Sequence, residues 1–347
     1  MSKRKLNRQQ KWRIEKIQQE KALRAEKSNR NIELQEGAGE LSSEQKGVII
    51  SHYGKRIDVE ATEGDHKGQV FRCHVRANMG SLVTGDNVIW RSASDGSGVI
   101  EALLPRKTIL ERPDNYGKMK PVASNIDNIL IVIAPLPGPQ TILIDRYLVA
   151  AETLNIRPVL LLNKTDLIDE KNEQSIDALM NAYQGLGYEI VRASATTQHG
   201  MNDLLSFLDG RVTVFVGQSG VGKSSLIQSL LPEQSLRIGE LSEANQKGKH
   251  TTTTAKLFHL PKGGDLIDSP GIREFGLWHI SEDELAEGFI EFRPFLRQCR
   301  FRNCQHEHEP GCGLLNAAEN NLIAMERVKN YRLLKSTLNE LTVRAST

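Results

Sequence analysis

The sequence predicts a multidomain chain: a small N-terminal β-barrel of the OB type, a central α/β domain, and an α-helical C-terminal domain. Three observations carry that reading. Between Gly47 and Leu104, five short β-type runs are separated by Gly, Asp and Ser turns. From about Asn125, apolar strand-like runs alternate with helical segments, which implies a parallel sheet covered by helices on both faces. After about Trp278 the pattern turns to an acidic helical stretch, a segment rich in Cys, His and Arg, and a closing helix. A length of 347 residues suits two or three domains, and 39% hydrophobic residues supply the cores they need.

The first element is a basic arm and linker over residues 1–43. Residues 1–30 hold 11 Lys or Arg against 3 Glu, a local charge of +8 in a chain of net +2, which leaves the remainder near −6. A basic arm on a mildly acidic body suits nucleic-acid binding, and equally a solvated tail. Leu6, Trp12, Ile14, Ile17 and Leu23 are almost its whole apolar content, too little to bury a core. The N-terminus lacks an apolar h-region, and no apolar run approaches the roughly 18 residues of a membrane span. Four cysteines do not suggest a disulfide scaffold. The expectation is a cytoplasmic monomer with no secretory signal and no membrane partner.

The barrel, placed at residues 44–107, is read from GVIISHYG, RIDVEAT, QVFRCHVRA, DNVIWR and GVIEALL. Such barrels often bind single-stranded nucleic acid through basic and aromatic side chains. Arg56, Lys67, Arg72 and Arg76 are available for this, whereas Phe71, Trp90 and Cys73 are read as core.

The α/β domain, placed at 108–277, begins with NILIVIAPL, an apolar run suited to a buried parallel strand. The helix DRYLVAAETLN follows, then the strand in RPVLLLNKTDL and the helix EQSIDALMNAYQGLG. Next come strand YEIVRASA, helix MNDLLSFLDG, strand RVTVFV and helix SSLIQSLLPE, stopped by Pro232. KLFHLPKGGDLIDSPG supplies a final strand pair.

Four of these strands end in residues that chemistry can use, and a loop before the last pair adds a fifth element. After RVTVFV comes GQSGVGKSS, a match to the phosphate loop G-x-x-x-x-G-K-[ST], comprising Gly217, Gln218, Ser219, Gly220, Val221, Gly222, Lys223, Ser224 and Ser225. Its backbone N–H groups can curl around phosphate oxygens in front of a helix N-terminus. Lys223 would reach the β- and γ-phosphates, and Ser224 would ligate Mg²⁺. After VLLL comes NKTD: Asn163, Lys164, Thr165 and Asp166. The Asp166 carboxylate could accept a bidentate pair from guanine N1–H and the 2-amino group, a pair that adenine does not offer. Ser194 and Ala195 end another strand, where backbone N–H groups could meet guanine O6. Asp268 could hold Mg²⁺ through water, and the Gly271 N–H could touch the γ-phosphate. Between them, KGKHTTTT offers Thr251 or Thr252 as a hydroxyl ligand to Mg²⁺.

The order of these elements is base reader, second base contact, phosphate loop, first switch, second switch. It is a rotation of the usual order, as a circular permutation would produce; the termini of compact domains often lie close together. With GQSGVGKSS, GKHTTT and DSPGIREFGLW in this order, the sequence resembles the circularly permuted GTPases that act on the small ribosomal subunit, the RsgA/YjeQ family. The resemblance covers nearly the whole chain. It implies a multidomain fold of N-terminal OB-type β-barrel, central α/β circularly permuted P-loop GTPase domain and C-terminal α-helical zinc-binding domain, the last placed at 278–347. It also implies hydrolysis of GTP stimulated by the small ribosomal subunit, with rRNA as a partner and Mg²⁺ accompanying GTP.

Ras-like enzymes orient the attacking water with a Gln just after D-x-x-G. Here Ile272 stands in that place and can neither orient nor deprotonate water. His250, in the first switch, is the best local substitute, and the family resemblance also points to the histidine before the threonine run. In CRFRNCQHEHEPGC, Cys299, Cys304, His306 and Cys312 form C-x₄-C-x-H-x₅-C, a closed structural Zn²⁺ set that the family uses; His308 is a lower-ranked substitute for His306. Arg293, Arg297, Arg300 and Arg302 around these ligands could meet RNA phosphates. An alternative function is a GTP-regulated RNA-binding switch with negligible turnover.

Overall fold

The computed structural model describes residues 41–53, 56–75, 79–114, 117–232, 255–268, 276–277 and 280–345, the side chains of 53, 56 and 339–345 aside. The barrel is built from β1 (Gln45–Tyr53), β2 (Arg56–Ala61), β3 (Val70–Val75), β4 (Asn87–Ser92) and β5 (Ser97–Leu103). Their order β1-β2-β3-β5-β4 closes because β4 pairs back onto β1. Inward positions are apolar, with Ile49, Val59, Val88, Trp90 and Ile100 fully buried. Trp90 keeps its indole N–H satisfied by donating to the Lys46 carbonyl at 3.3 Å. Phe71 is half-buried with its ring 4.7 Å from that of Trp90. Cys73 is buried, and desolvation pushes its thiol up to about 12, as an inert core residue requires.

A hairpin that the sequence reading passed over, β6 (Ile109–Pro113) and β7 (Met119–Ser124), joins the barrel to the α/β domain. Asp86, fully buried, ties it down: its carboxylate accepts from Arg106 Nε at 2.6 Å, Ser124 Oγ at 2.6 Å and the Val83 N–H at 2.8 Å.

The α/β sheet comprises β8 (Asn128–Ile133), β9 (Arg157–Leu162), β10 (Glu189–Arg192), β11 (Val212–Val216), β12 (Lys256–His259) and β13 (Asp265–Asp268). Its order is β10-β9-β8-β11-β13-β12, parallel throughout except for antiparallel β12. All six residues of β8 are buried, because Ile129, Ile131 and Ile133 face one apolar layer while Leu130 and Val132 face the other. Helices α1 (Thr141–Thr153) and α2 (Glu173–Gly185) cover the first face; α3 (Met201–Leu208) and α4 (Lys223–Leu230) cover the second. Ser51 of β1 pairs with Lys256 of β12, so one ladder continues from the α/β sheet into the barrel.

The C-terminal part has α5 (Glu282–Gly288), α6 (Arg293–Leu296), α7 (Gly313–Glu319) and α8 (Met325–Ala345). Ser281 and Glu284 form a capping box at the start of α5. The closing helix expected from Leu314 to Leu341 is two helices, α7 and α8. Asn321 takes a left-handed φ of 58° between them, a conformation that Asn tolerates and that stops the first helix. Phe289, Phe292, Leu314, Val328 and Tyr331 lie in the same apolar cluster as Leu148 and Val149 of α1, so this part shares a core with the α/β domain. Among the described residues, no helix is long and apolar enough to cross a membrane.

Candidate functional site

The carboxyl ends of β8, β9, β10 and β11 gather the expected loops at one edge of the sheet, where open α/β sheets bind ligands. The phosphate loop leaves β11 through Gly217 at φ 138°, and a Cβ there would sit 2.4 Å from the Val132 carbonyl oxygen of β8. Gly222 (φ 94°) lies directly before α4, and a Cβ there would sit 2.4 Å from Asn163 Nδ2. Only glycine allows these close approaches. The Lys223 ammonium donates to the Gly217 and Gln218 carbonyls, each at 2.7 Å, and so stays folded over the loop.

NKTD is locked to this loop. Asn163, 1% exposed, donates from Nδ2 to the Val221 carbonyl at 2.9 Å. Lys164, at left-handed φ 58°, donates to the carbonyls of Gly220 at 2.6 Å and Leu136 at 3.0 Å. Asn163 and Lys164 therefore join the two loops, and Asp166 is left facing a cavity. Thr165 opens a 3₁₀ turn, Thr165–Leu167, that carries Asp166.

The reading of Ser194 is corrected in one respect. Its N–H donates to the His199 carbonyl at 2.9 Å and is not available to a base. Its hydroxyl instead donates to Asp166 Oδ1 at 2.5 Å and accepts from the Thr197 N–H at 3.1 Å, which fixes the carboxylate. Of the two backbone N–H groups considered for a base, that of Ala195 is left. No sequence signal distinguished these two roles, because both use the same residue at the same strand end.

Two cavities meet here. One, of about 760 Å³, is lined by residues 217–220 and 222–225, by Lys164, and by Leu143, Arg146 and Tyr147 of α1. The other, of about 210 Å³, is lined by Asn163, Lys164, Asp166, Leu167, Ala195, Thr196, Gly222 and Ser225. They share Lys164, Gly222 and Ser225, so one elongated ligand can place an anion on the loop and a ring beside Asp166. Asp268 ends β13, next to β11 in the sheet. His250, Thr251, Thr252, Gly271 and Ile272 lie outside the described residues, as do residues 1–40 of the basic arm and Arg76.

The second cluster is metal-like. The ligand atoms of Cys299, Cys304, His306 and Cys312 lie within 4.8 Å of one another. His306 Nδ1 is 3.5 Å from Cys299 Sγ and 3.4 Å from Cys312 Sγ. Bond lengths of about 2.0–2.3 Å give tetrahedral edges of about 3.3–3.8 Å, so this donor set fits zinc. The geometry takes His306 and leaves His308 outside. Burial pushes the Cys304 thiol up to about 12, with the adjacent Cys312 and Cys299 adding to the effect; a bound cation reverses that preference.

The surrounding loop is held by residues that the sequence reading missed. The Glu309 carboxylate accepts from the N–H groups of Gln305 (2.7 Å), Glu307 (2.9 Å) and His308 (3.1 Å), and these bonds lower its pKa to about 2. Lys335 of α8, nearly buried, donates to the Gln305 carbonyl at 3.1 Å and pairs with Glu282 at 3.1 Å. Of the four arginines considered for RNA, Arg293 is committed to Glu152 of α1 at 2.9 Å. Arg297, Arg300 and Arg302 are exposed, beside an exposed Phe301.

Residues 103–278 match the RsgA GTPase family model. The small ribosomal subunit biogenesis GTPase RsgA of Hahella chejuensis is 57% identical over 340 residues, covering 98% of each chain. The protein of the same description from Pseudomonas savastanoi pv. phaseolicola is 57% identical over 339 residues, covering 97% of this chain and 98% of its own. The crystal structure of YjeQ from Thermotoga maritima superposes with a TM-score of 0.70 at 33% identity, over 85% of this chain and 99% of that one. YloQ, a circularly permuted GTPase, gives 0.69 at 27% identity, over 86% and 96%.

Proposed function

The chain belongs to the RsgA GTPase family, and from this we propose that it hydrolyses GTP in step with a late stage of small ribosomal subunit maturation, binding rRNA of that subunit. The observation that carries the nucleotide assignment is the pair of joined cavities, one ringed by phosphate-loop glycines and the other by a carboxylate that Ser194 holds in place. Guanine in the smaller cavity presents N1–H and the 2-amino group to Asp166, and O6 to the Ala195 N–H. The phosphates lie on Gly217, Gln218, Ser219, Gly220, Val221, Gly222, Lys223, Ser224 and Ser225. Mg²⁺, when bound, neutralises charge on the β- and γ-phosphates. Ser224, Asp268 through water, and Thr251 or Thr252 would hold it.

Hydrolysis transfers the γ-phosphoryl group to water, and the bond to the β–γ bridging oxygen breaks with its electron pair leaving on GDP. His250 orients the attacking water or accepts its proton, in place of the missing Gln. Gly271 contacts the γ-phosphate in the GTP state. The reading of a switch without turnover is not favoured, since the curated relatives above are named GTPases.

The remaining assignments follow from this reading. Residues 1–43 are a basic arm, 44–107 an OB-type barrel, 108–277 the GTPase domain and 278–347 a domain organised by one structural Zn²⁺. The basic arm, with Arg297, Arg300 and Arg302 and the barrel's exposed Lys67, contacts RNA phosphates. The protein works in the cytoplasm as a monomer.

Two measurements test the core of this. GTP turnover should rise on adding purified small subunits and stay near the basal rate with large subunits; equal stimulation by both would remove the subunit assignment. Asp166→Asn should exchange the carboxylate acceptor for an amide that complements xanthine, whose C2 bears oxygen. We expect the preference to move from GTP toward XTP by roughly 10³–10⁴-fold. An unchanged base preference would move the base site elsewhere.

A further inference from the structure

Helix α1 brings into the phosphate cavity a charged side chain that no motif accounts for. We infer that Arg146 contacts the terminal phosphates of bound GTP and stabilises the charge that develops on them during transfer to water: an arginine finger supplied by the chain to itself. The inference deepens the function proposed above and rests on it.

Arg146 lines the 760 Å³ cavity together with the phosphate loop, Lys164, Leu143 and Tyr147. It is half-buried, and it makes no hydrogen bond or ion pair with any other described residue. A guanidinium carries five N–H donors and stays charged at every relevant pH. Holding such a group partly out of water without a carboxylate beside it is costly, unless an anion arrives to pair with it. The other arginines near α1 show the contrast: Arg293 and Arg327 are each paired with carboxylates. Arg146 alone among these three is left for the cavity.

The side chain is also held in position. The next residue, Tyr147, is nearly buried and hydrogen-bonds the Gly217 backbone at the first glycine of the phosphate loop. The preceding residue, Asp145, is fully buried and clasped by Tyr183 at 2.6 Å, Asn330 at 2.7 Å and Arg327. These two anchors fix the rotation of α1, and Arg146 lies between them. On a further side is Gly276, just past the second switch. A Cβ there would lie 2.3 Å from an Arg146 guanidinium nitrogen, so the guanidinium packs directly against this glycine and a larger residue would push it aside.

The chemistry asks for such a residue. In the transfer, negative charge gathers on the β–γ bridging oxygen as its bond to phosphorus breaks, and the γ-oxygens share the rest. Lys223 provides one cationic side chain for this charge, and a planar guanidinium can meet two of the oxygens at once. Charge stabilisation is separate from the water-orienting role given to His250, and a second cation is the way for the protein to strengthen it.

The test uses full-length wild type, Arg146→Ala and Arg146→Lys, with zinc content and circular dichroism confirming that each variant folds. Affinity is measured for fluorescent GDP alone and for GDP with aluminium fluoride, which mimics the phosphoryl group in transfer. Single-turnover GTP hydrolysis is measured with and without small subunits. In Arg146→Ala, GDP affinity should stay within about threefold, while the aluminium fluoride complex is lost and turnover falls by about 10²–10³-fold; Arg146→Lys should recover less than about a tenth of the loss. Wild-type affinity for the aluminium fluoride complex together with wild-type turnover would overturn the inference. So would an equal loss of affinity for both complexes, which marks plain ground-state binding. A wild-type protein that neither binds nor hydrolyses GTP sinks the parent reading instead.

Discussion

The α/β domain is joined to its two neighbours in opposite ways. Toward the barrel the joint is a ladder edge with polar bonds, buried at Ser51 and Thr84 and exposed at His259. Ser51 pairs with Lys256, Thr84 Oγ1 donates to the Ala255 carbonyl at 2.9 Å, and His259 bridges Asp265 at 2.6 Å and Glu60 of the barrel at 2.7 Å. Toward the C-terminal helices the joint is a core. Arg327 of α8 is 6% exposed; it pairs with Asp145 of α1 and with Glu291 at 2.6 Å, and it lies 4.5 Å from the centre of the Phe289 ring. Burial pulls the Arg327 pKa down, but its hydrogen bonds to Glu291 and the two carboxylate charges overcome this and hold it above its ordinary value. The difference teaches that the C-terminal part cannot shift without shifting α1, whereas the barrel is fastened mainly by polar bonds, one of which, at exposed His259, water and pH can reach.

The sharpest way to break this contrast is at the metal cluster. Removing zinc with a chelator, or making Cys312→Ser, withdraws on the order of 10 kcal/mol from the C-terminal part. Because that part shares the core of α1, GDP affinity should fall as well, while the barrel signal from buried Trp90 persists. Retention of full GDP affinity in the chelated protein would mean that the two cores are independent.

The buried ion cluster comes next. Arg327→Ala strands two carboxylates, and the expected loss is about 3–5 kcal/mol in urea unfolding. Arg327→Met with Asp145→Asn should recover the part due to Asp145, since the amide keeps the Tyr183 hydrogen bond and needs no cation, while Glu291 stays unpaired. A loss below about 1 kcal/mol for Arg327→Ala would place the cluster on the surface in energetic terms.

The smallest effect belongs to the barrel joint. Hydrogen bonding to Asp265, and then to Glu60, raises the His259 pKa from its ordinary 6.5 to about 9. A raised folded-state value means that the stabilisation is complete below about pH 6.5, declines as pH rises, and is lost through pH 9. His259 is half exposed, so solvent screening keeps the whole effect to about 1 kcal/mol or less. His259→Asn should flatten the decline in melting temperature between pH 7 and 9.5; a slope as steep as that of wild type would give the decline to other groups.

The ease of reading the sequence followed the same divide between local and distant causes. Barrel strands, the parallel strands and the phosphate loop were legible because period-2 runs, apolar runs and glycine spacing act within a few residues. NKTD and the Cys/His spacing were legible for the same reason. The β6–β7 hairpin was missed, since Pro113, Gly117 and Pro121 break any alternation in it. Asp145 and Arg146 read simply as polar positions of a helix. Arg327 lies 182 residues from Asp145, and no pattern along the chain announces such a partner. Ser194 was found as a site residue, but its use, bracing Asp166, depends on a contact across 28 residues.

One small bond repays a last look. Thr84 of the barrel holds the carbonyl of Ala255, the residue directly after the threonine run proposed above as the first switch. Just past the proposed second switch, Gly276 lies against Arg146, whose helix the C-terminal part grips. On that proposal, the residue after one switch is bonded to the barrel, and a residue after the other lies beside a helix held by the C-terminal part. A large partner touching both the barrel and the C-terminal part would then have two separate routes to a single nucleotide.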